Sequence, residues 1–292
     1  MGKAVYLILK EEEVMKFKRF SVLLVIMLIL STFTTTFVFA KTERTPKPKL
    51  NIVALGDSIT FGYSPPSTTG FPDFISGARN VEKFGGSGAT SSQLLAAIQS
   101  NPKEFKRALK KADVITINIG SNDLMQATNM STLLAKLQPL VPNLEENLAN
   151  GKISEAIHTT PLTPPTSQQL IAYTSNVAKI IATVKKESKA PIILYNLYNP
   201  IVMSNNPVLN QALLGPLHTF VEGNLMVVNG IIQPFENTKG IFVVDSYSTM
   251  KANPPIYIIP FDIHPTIEGQ KALALLADSI LQSIHLKKWK SY

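Results

Sequence analysis

Leu50-Asn51-Ile52-Val53-Ala54-Leu55-Gly56-Asp57-Ser58 reads as a short buried strand that stops at a hydroxyl. The aliphatic run has the continuous apolar character of a strand covered on both faces, and Gly56 permits a sharp turn at its end. That places Ser58 on the loop at a strand's carboxyl end, where open α/β sheets keep their sites.

A serine hydroxyl is a poor nucleophile at neutral pH. It needs a base to take its proton and a third group to hold that base in one tautomer. About two hundred residues later, Asp262-Ile263-His264-Pro265 supplies both. Pro265 disfavours α conformation at His264, so the predicted helix begins only from Pro265 or Thr266. In an extended stretch residues two apart share a side, which lets Asp262 and His264 both face Ser58.

Two further loops follow candidate strands. Gly85-Gly86-Ser87-Gly88-Ala89-Thr90 joins a strand around 80–84 to a helical pattern from Ser91. Such a junction is either a plain βα turn or a set of backbone N–H groups aimed at a developing negative charge. The strand 113–119 runs into Gly120-Ser121-Asn122-Asp123. An asparagine here either tolerates a turn conformation or offers its amide N–H to the same oxyanion, a donor whose loss costs about 3 kcal/mol in studied hydrolases.

These four motifs, in this order and each at a strand end, resemble those of the SGNH (GDSL-type) lipase and esterase superfamily, most closely its extracellular Firmicute branch. The resemblance spans roughly residues 50–285. It implies Ser58 as nucleophile, His264 as base, and Ser58 N–H, Gly88 N–H and the Asn122 side chain as oxyanion donors. Many members carry Asp-x-x-His; here the spacing is Asp-x-His and position 261 is Phe, so Asp262 takes the orienting role on same-face geometry. Tyr195-Asn196-Leu197-Tyr198-Asn199-Pro200 is similar to the branch as well, or is strand-end packing. An α/β-hydrolase would share the order Ser, Asp, His but wants Gly-x-Ser-x-Gly, and the fifth residue here is Thr60.

Strands are predicted at 50–55, 80–84, 113–119, 191–197 and 240–245. Helical patterns lie at 91–99, 103–111, 131–148, 168–187, 208–234 and 267–284. This alternation predicts an α/β fold, a three-layer α/β/α sandwich on a mainly parallel five-stranded sheet; the resemblance implies its flavodoxin-like SGNH form. The segment from Asn122 to Pro191 contains Pro161, Pro164 and Pro165, a loop that either borders the site as a lid or is a surface insertion. Leu124, Met125, Ile201, Val202 and Met203 follow motif-bearing strand ends, where they line an acyl chain or serve as core.

The 292 residues include 28 Lys+Arg against 20 Asp+Glu and no cysteine. Lys16-Phe17-Lys18-Arg19, the apolar run from Ser21 to Val38, then Phe39-Ala40 have the form of a secretory signal. Residues 1–40 therefore read as a signal peptide cleaved before Lys41, with an uncleaved membrane anchor as the alternative. Glu11-Glu12-Glu13 precede the positive region, which points to Met15 as the true start. Residues 41–49 form a proline-punctuated linker, and residues 50–292 the hydrolase domain. Residues 1–40 hold five of the basic and three of the acidic groups, so the remainder carries 23 against 17. Scattered lysines without aromatic interleaving give no nucleic-acid signature, although a modest positive excess favours an anionic wall or membrane surface.

No metal-ligand spacing, phosphate loop or dinucleotide fingerprint is present, and His158, His218 and His285 have no partner motif. The expected activity is a secreted serine carboxylic ester hydrolase acting on small-molecule or lipid esters through an acyl-enzyme, without cofactor. A carbohydrate O-deacetylase of wall polysaccharide and a non-catalytic wall-binding module are the alternatives.

Overall fold

The computed structural model describes residues 49–63 and 68–289, without the side chains of 285–289. The signal segment 1–40, the start at Met15, linker residues 41–48 and the surroundings of His285 lie outside the described residues.

Five strands form one sheet: β1 Leu50–Gly56, β2 Ala78–Gly85, β3 Val114–Asn118, β4 Ile192–Tyr195 and β5 Ile241–Val244. All neighbours are parallel, in the order β2-β1-β3-β4-β5. In chain order the helices are α1 Ser58–Phe61, α2 Phe71–Phe74, α3 Ser91–Ser100, α4 Pro102–Lys111, α5 Ser121–Ala127, α6 Met130–Leu137, α7 Leu144–Ala149 and α8 Lys152–His158. They continue with α9 Ser167–Glu187, α10 Pro207–Leu209, α11 Gly215–Ile232, α12 Ser246–Lys251, α13 Pro254–Tyr257 and α14 Ile267–Trp289.

Strand alternation builds the three layers. Val53, Leu55, Ile115, Ile117, Ile192 and Leu194 point to one core, with α3, α4, α9 and α11 over them. Ile52, Val114, Ile193, Tyr195 and Val244 point to the other, under Phe71 and the α14 residues Leu273, Ala274 and Ala277. With both faces buried, the central strands β1, β3 and β4 need few polar positions and read as largely apolar runs, while the edge strand β2 is partly exposed and carries Arg79, Asn80, Glu82 and Lys83.

The chain leaves β1 for β2 on one side and then crosses to β3 on the other. The carboxyl ends of β1 and β3 therefore diverge, leaving the crevice in which doubly wound sheets bind ligands. Gly56 is required there. A Cβ on it would stand 2.2 Å from Thr60 Oγ1 and 2.3 Å from Asn118 O.

Two predicted helices are divided. The pattern at 131–148 is α6, a 3-10 stretch Gln138–Asn143 and α7; Pro139 and Pro142 remove backbone donors and end the α-helical ladder. The pattern at 208–234 is α10, a π turn Asn210–Leu214, α11 and a 3-10 stretch Gln233–Asn237. Gly215 N–H bonds to Asn210 O across the π turn, next to Pro216, which has no N–H to give. Among the described residues no helix is long and apolar enough to cross a membrane.

Candidate active site

Asp57 is the N-cap of α1. Its Oδ1 accepts from Ile59 N–H at 3.0 Å, so Ser58 is the first helical residue, where backbone N–H groups have no intrahelical partner. Ser58 is 5% exposed. Its Oγ lies 2.9 Å from His264 Nε2, and His264 Nδ1 lies 2.5 Å from Asp262 Oδ1. The same carboxylate oxygen accepts from Ile263 N–H at 2.6 Å and His264 N–H at 3.1 Å. A carboxylate can only accept, so the Nδ1 proton faces Asp262 and the Nε2 lone pair faces Ser58. Burial pushes the Asp262 carboxyl up, but the hydrogen bond and charge of His264 together with the Ile263 and His264 backbone bonds outweigh it and hold the group below the usual carboxylate range.

The loop carrying these groups is tied at both ends. Ile258 and Pro265 form an antiparallel bridge, and Ile259 N–H donates to His264 O at 3.0 Å. Asp262 N–H donates to Ile259 O, closing a turn with Pro260 and Phe261 at its centre. Phe261 has φ 60, the left-handed value that a type II turn assigns to glycine. The helix predicted from Pro265 or Thr266 starts at Ile267, because Pro265 is engaged in the bridge; Thr266 caps it through Gly269 N–H. Its Gln270 side chain, fully buried, accepts from Phe71 N–H and donates to Ile59 O. The last helix is thereby latched to the first. Tyr63 covers the imidazole, ring centroids 4.3 Å apart.

Gly88 adopts φ 75, with open space where a side chain would begin. The loop is held from both directions: Thr90 and Gln93 form a capping box on α3, and Ser91 gives its N–H and hydroxyl to the Asp123 carboxylate at 2.7 and 2.6 Å. Burial raises the pKa of Asp123 although both Ser91 bonds oppose it. Asn122 is buried and already engaged. Its amide donates to Ala89 O at 3.1 Å and to Asp57 Oδ2 at 3.3 Å, the second at the far end of hydrogen-bonding range. The structure thus brings Ser58, His264 and Asp262 into one bonded chain and puts Asn122 on the wall beside Ser58.

Asp57 itself is a site residue that the sequence reading passed over. It is wholly buried, and burial pushes its pKa up to about 7, against the Ile59 bond and the charge of His264. The residue type was visible; its burial depends on three strand ends meeting.

A cavity of about 660 Å³, counted to its open mouth, begins at Ser58 and Asn122 and is walled by Leu124, Met125, Ile201 and Phe220 among others. Of the five residues expected to line an acyl chain or serve as core, Leu124, Met125 and Ile201 line this cavity and pack against one core, Val202 packs against the opposite core and lines an adjoining hollow, and Met203 is 46% exposed. The proline loop does not border this cavity. Pro161 lines a separate hollow and Pro165 another, and the crossover contributes α5 and α6 instead. In the Tyr195–Pro200 segment, Tyr195 OH donates to Leu273 O and Tyr198 OH to Ile263 O; Leu197, Tyr198 and Pro200 line the cavity. His158 is exposed, and His218 is half-buried with its carbonyl accepting from Asn199. Among the described residues no cluster of three or more His, Cys, Asp or Glu side chains is placed to hold a metal.

The fold is similar to that of a lipase from a goat rumen metagenome, with TM-score 0.53 and 22% identity over 79% of this chain and 96% of that one. It is also similar to an extracellular lipase from Streptomyces rimosus, with TM-score 0.51 and 15% identity over 80% and 99%. No curated protein matches the chain. The profile of the GDSL-like lipase/acylhydrolase family matches residues 54–272, from the end of β1 into α14. The chain is a member of the GDSL-like lipase/acylhydrolase family.

Proposed function

We propose that the protein is a secreted serine carboxylic ester hydrolase that works through an acyl-enzyme. The observation that carries this is the bonded chain Ser58–His264–Asp262 opening onto an apolar cavity. Ser58 Oγ attacks the ester carbonyl as His264 Nε2 takes its proton, and Asp262 holds the imidazole with Nδ1–H toward it. Ser58 N–H, Gly88 N–H and the Asn122 amide receive the oxyanion, Asn122 exchanging its long bond to Asp57 for one to the substrate. His264 then protonates the leaving alcohol, and water attacks the acyl-enzyme through the same base. The apolar lining of Leu124, Met125, Ile201 and Phe220 beside Ser58 favours lipid esters over the acetyl groups of a polysaccharide.

Hydrolysis of p-nitrophenyl esters from acetyl to palmitoyl by the full chain and by Ser58→Ala tests the mechanism. Loss of at least a thousandfold in the variant, with a maximum above acetyl, is expected. Equal rates in both proteins would end the serine mechanism, and a maximum at acetyl would favour the deacetylase. Secretion rests on residues 16–40; N-terminal sequencing of protein recovered from culture medium should begin at Lys41.

A further inference from the structure

We infer that Phe220 sets the length of acyl chain the protein accepts, as the partition between the cavity beside Ser58 and a further apolar hollow beyond it. This rests on the ester-hydrolase reading. Among the described residues Phe220 is the one side chain that lines both spaces.

The two spaces follow one another along a single face of α11. Pro216, Leu217 and Phe220 line the hollow, and Phe220, Val221 and Asn224 line the cavity. Residues three and four apart are neighbours on a helix surface, so this stripe passes from one space to the other at Phe220. The same boundary crosses α6, where Met130 and Leu134 line the cavity and Leu133 lines the hollow.

The boundary lies away from the chemistry. Helix α5 runs from Asn122, beside Ser58, to its C-cap Thr128, which lines the same cavity; that is a rise of about 9 Å. At Thr128 the proline loop is pinned: Thr163 N–H donates to Thr128 O at 3.4 Å, and Asn129 Nδ2 donates to Pro161 O at 3.1 Å. Pro161 belongs to the wall of the hollow. The hollow therefore adjoins the Thr128 end of the cavity. An acyl chain held by its carbonyl at Ser58 and running along α5 meets the Phe220 ring at that end. Phe220 is half-buried and packed against the core, which fixes the ring as a stop. A chain of medium length ends there; a longer one gains the apolar lining of the hollow only where the ring gives way.

The test measures kcat/KM for p-nitrophenyl butyrate, octanoate and palmitate with the full chain, Phe220→Ala, Phe220→Trp and the double variant Phe220→Ala with Ala212→Trp. The parent should peak at octanoate. Phe220→Ala should raise the palmitate-to-octanoate ratio by on the order of tenfold, and Phe220→Trp should lower it. Opposite shifts from two substitutions at one position do not arise from lost stability. Ala212 lines the hollow and not the cavity, so an indole there should cancel the gain made by Phe220→Ala. A parent that peaks at palmitate, variants that slow all three esters equally, or a gain that survives Ala212→Trp would overturn the inference. In each of those cases esters are cleaved and the hydrolase reading stands; a parent that cleaves none of the three removes both.

Discussion

Asp57 yields a prediction with a sign and a size. Its carboxyl is wholly buried at the end of β1, and burial lifts its pKa from 3.8 to about 7. Between pH 4 and 7 the native state keeps a proton that the unfolded chain has already released. Stability therefore falls as pH rises through that window and levels off above pH 7. About three units at 1.36 kcal/mol each give a total of about 4 kcal/mol, of which about 3 kcal/mol falls between pH 5 and pH 8. Asp57→Asn removes the titration and leaves an oxygen for Ile59 N–H. Urea unfolding of parent and variant at pH 5 and pH 8 cancels the other titrating groups. The difference in unfolding free energy should move by about 3 kcal/mol in the variant's favour on going to pH 8. Asp57→Ser, which also caps α1, should move the same way. A difference that stays within about 0.5 kcal/mol across the range, or moves in the parent's favour, would refute the reasoning.

Asp262→Asn should lower kcat by two to four orders of magnitude while circular dichroism and KM change little, because the amide stabilises the wrong imidazole tautomer; a loss under tenfold would remove Asp262 from the orienting role. Asn122→Ala should cost kcat on the order of a hundredfold to a thousandfold, and a pure KM effect in steady-state kinetics would count against oxyanion binding. Gly56→Ala should destabilise by more than about 3 kcal/mol, since its Cβ meets the Asn118 carbonyl oxygen at 2.3 Å. A thermal midpoint within a few degrees of the parent would show that β1 and β3 can separate.

The sheet was legible because β1, β3 and β4 are buried on both faces and stand out as apolar runs between helical patterns, whereas the edge strand β2, partly exposed and carrying Arg79, Asn80, Glu82 and Lys83, is marked mainly by the glycines that follow it. Ser58 was legible because Gly56 ends a buried strand just before it; Asp262 and His264 meet not by alternation in an extended stretch but across a bend at 262–264, where Asp262 Oδ1 also accepts from the Ile263 and His264 N–H groups. The breaks at Pro139, Pro142 and Pro216 were written in the sequence but overlooked, periodicity having been weighed above missing donors. The exclusion of the proline loop from the cavity was not written there at all, since it depends on how α5 and α6 pack. Nor was the turn at Pro260-Phe261, because phenylalanine at a left-handed position contradicts the residue preference by which such turns are recognised. The second engagement of Asn122 requires Asp57 and Ala89 to converge on it, a fact of tertiary structure alone.

The latch between Gln270 and the segment around Ile59 and Phe71 has a temporal side. A chain made from its amino end carries Ser58 206 residues ahead of His264. A nascent or clipped chain ending before Asp262 holds all five strands but lacks the His264–Asp262 pair that Ser58 meets in the folded molecule. On the proposed mechanism, hydrolytic competence is acquired all at once, when the closing helix arrives, and its appearance during synthesis or refolding is a clock for completion of the molecule.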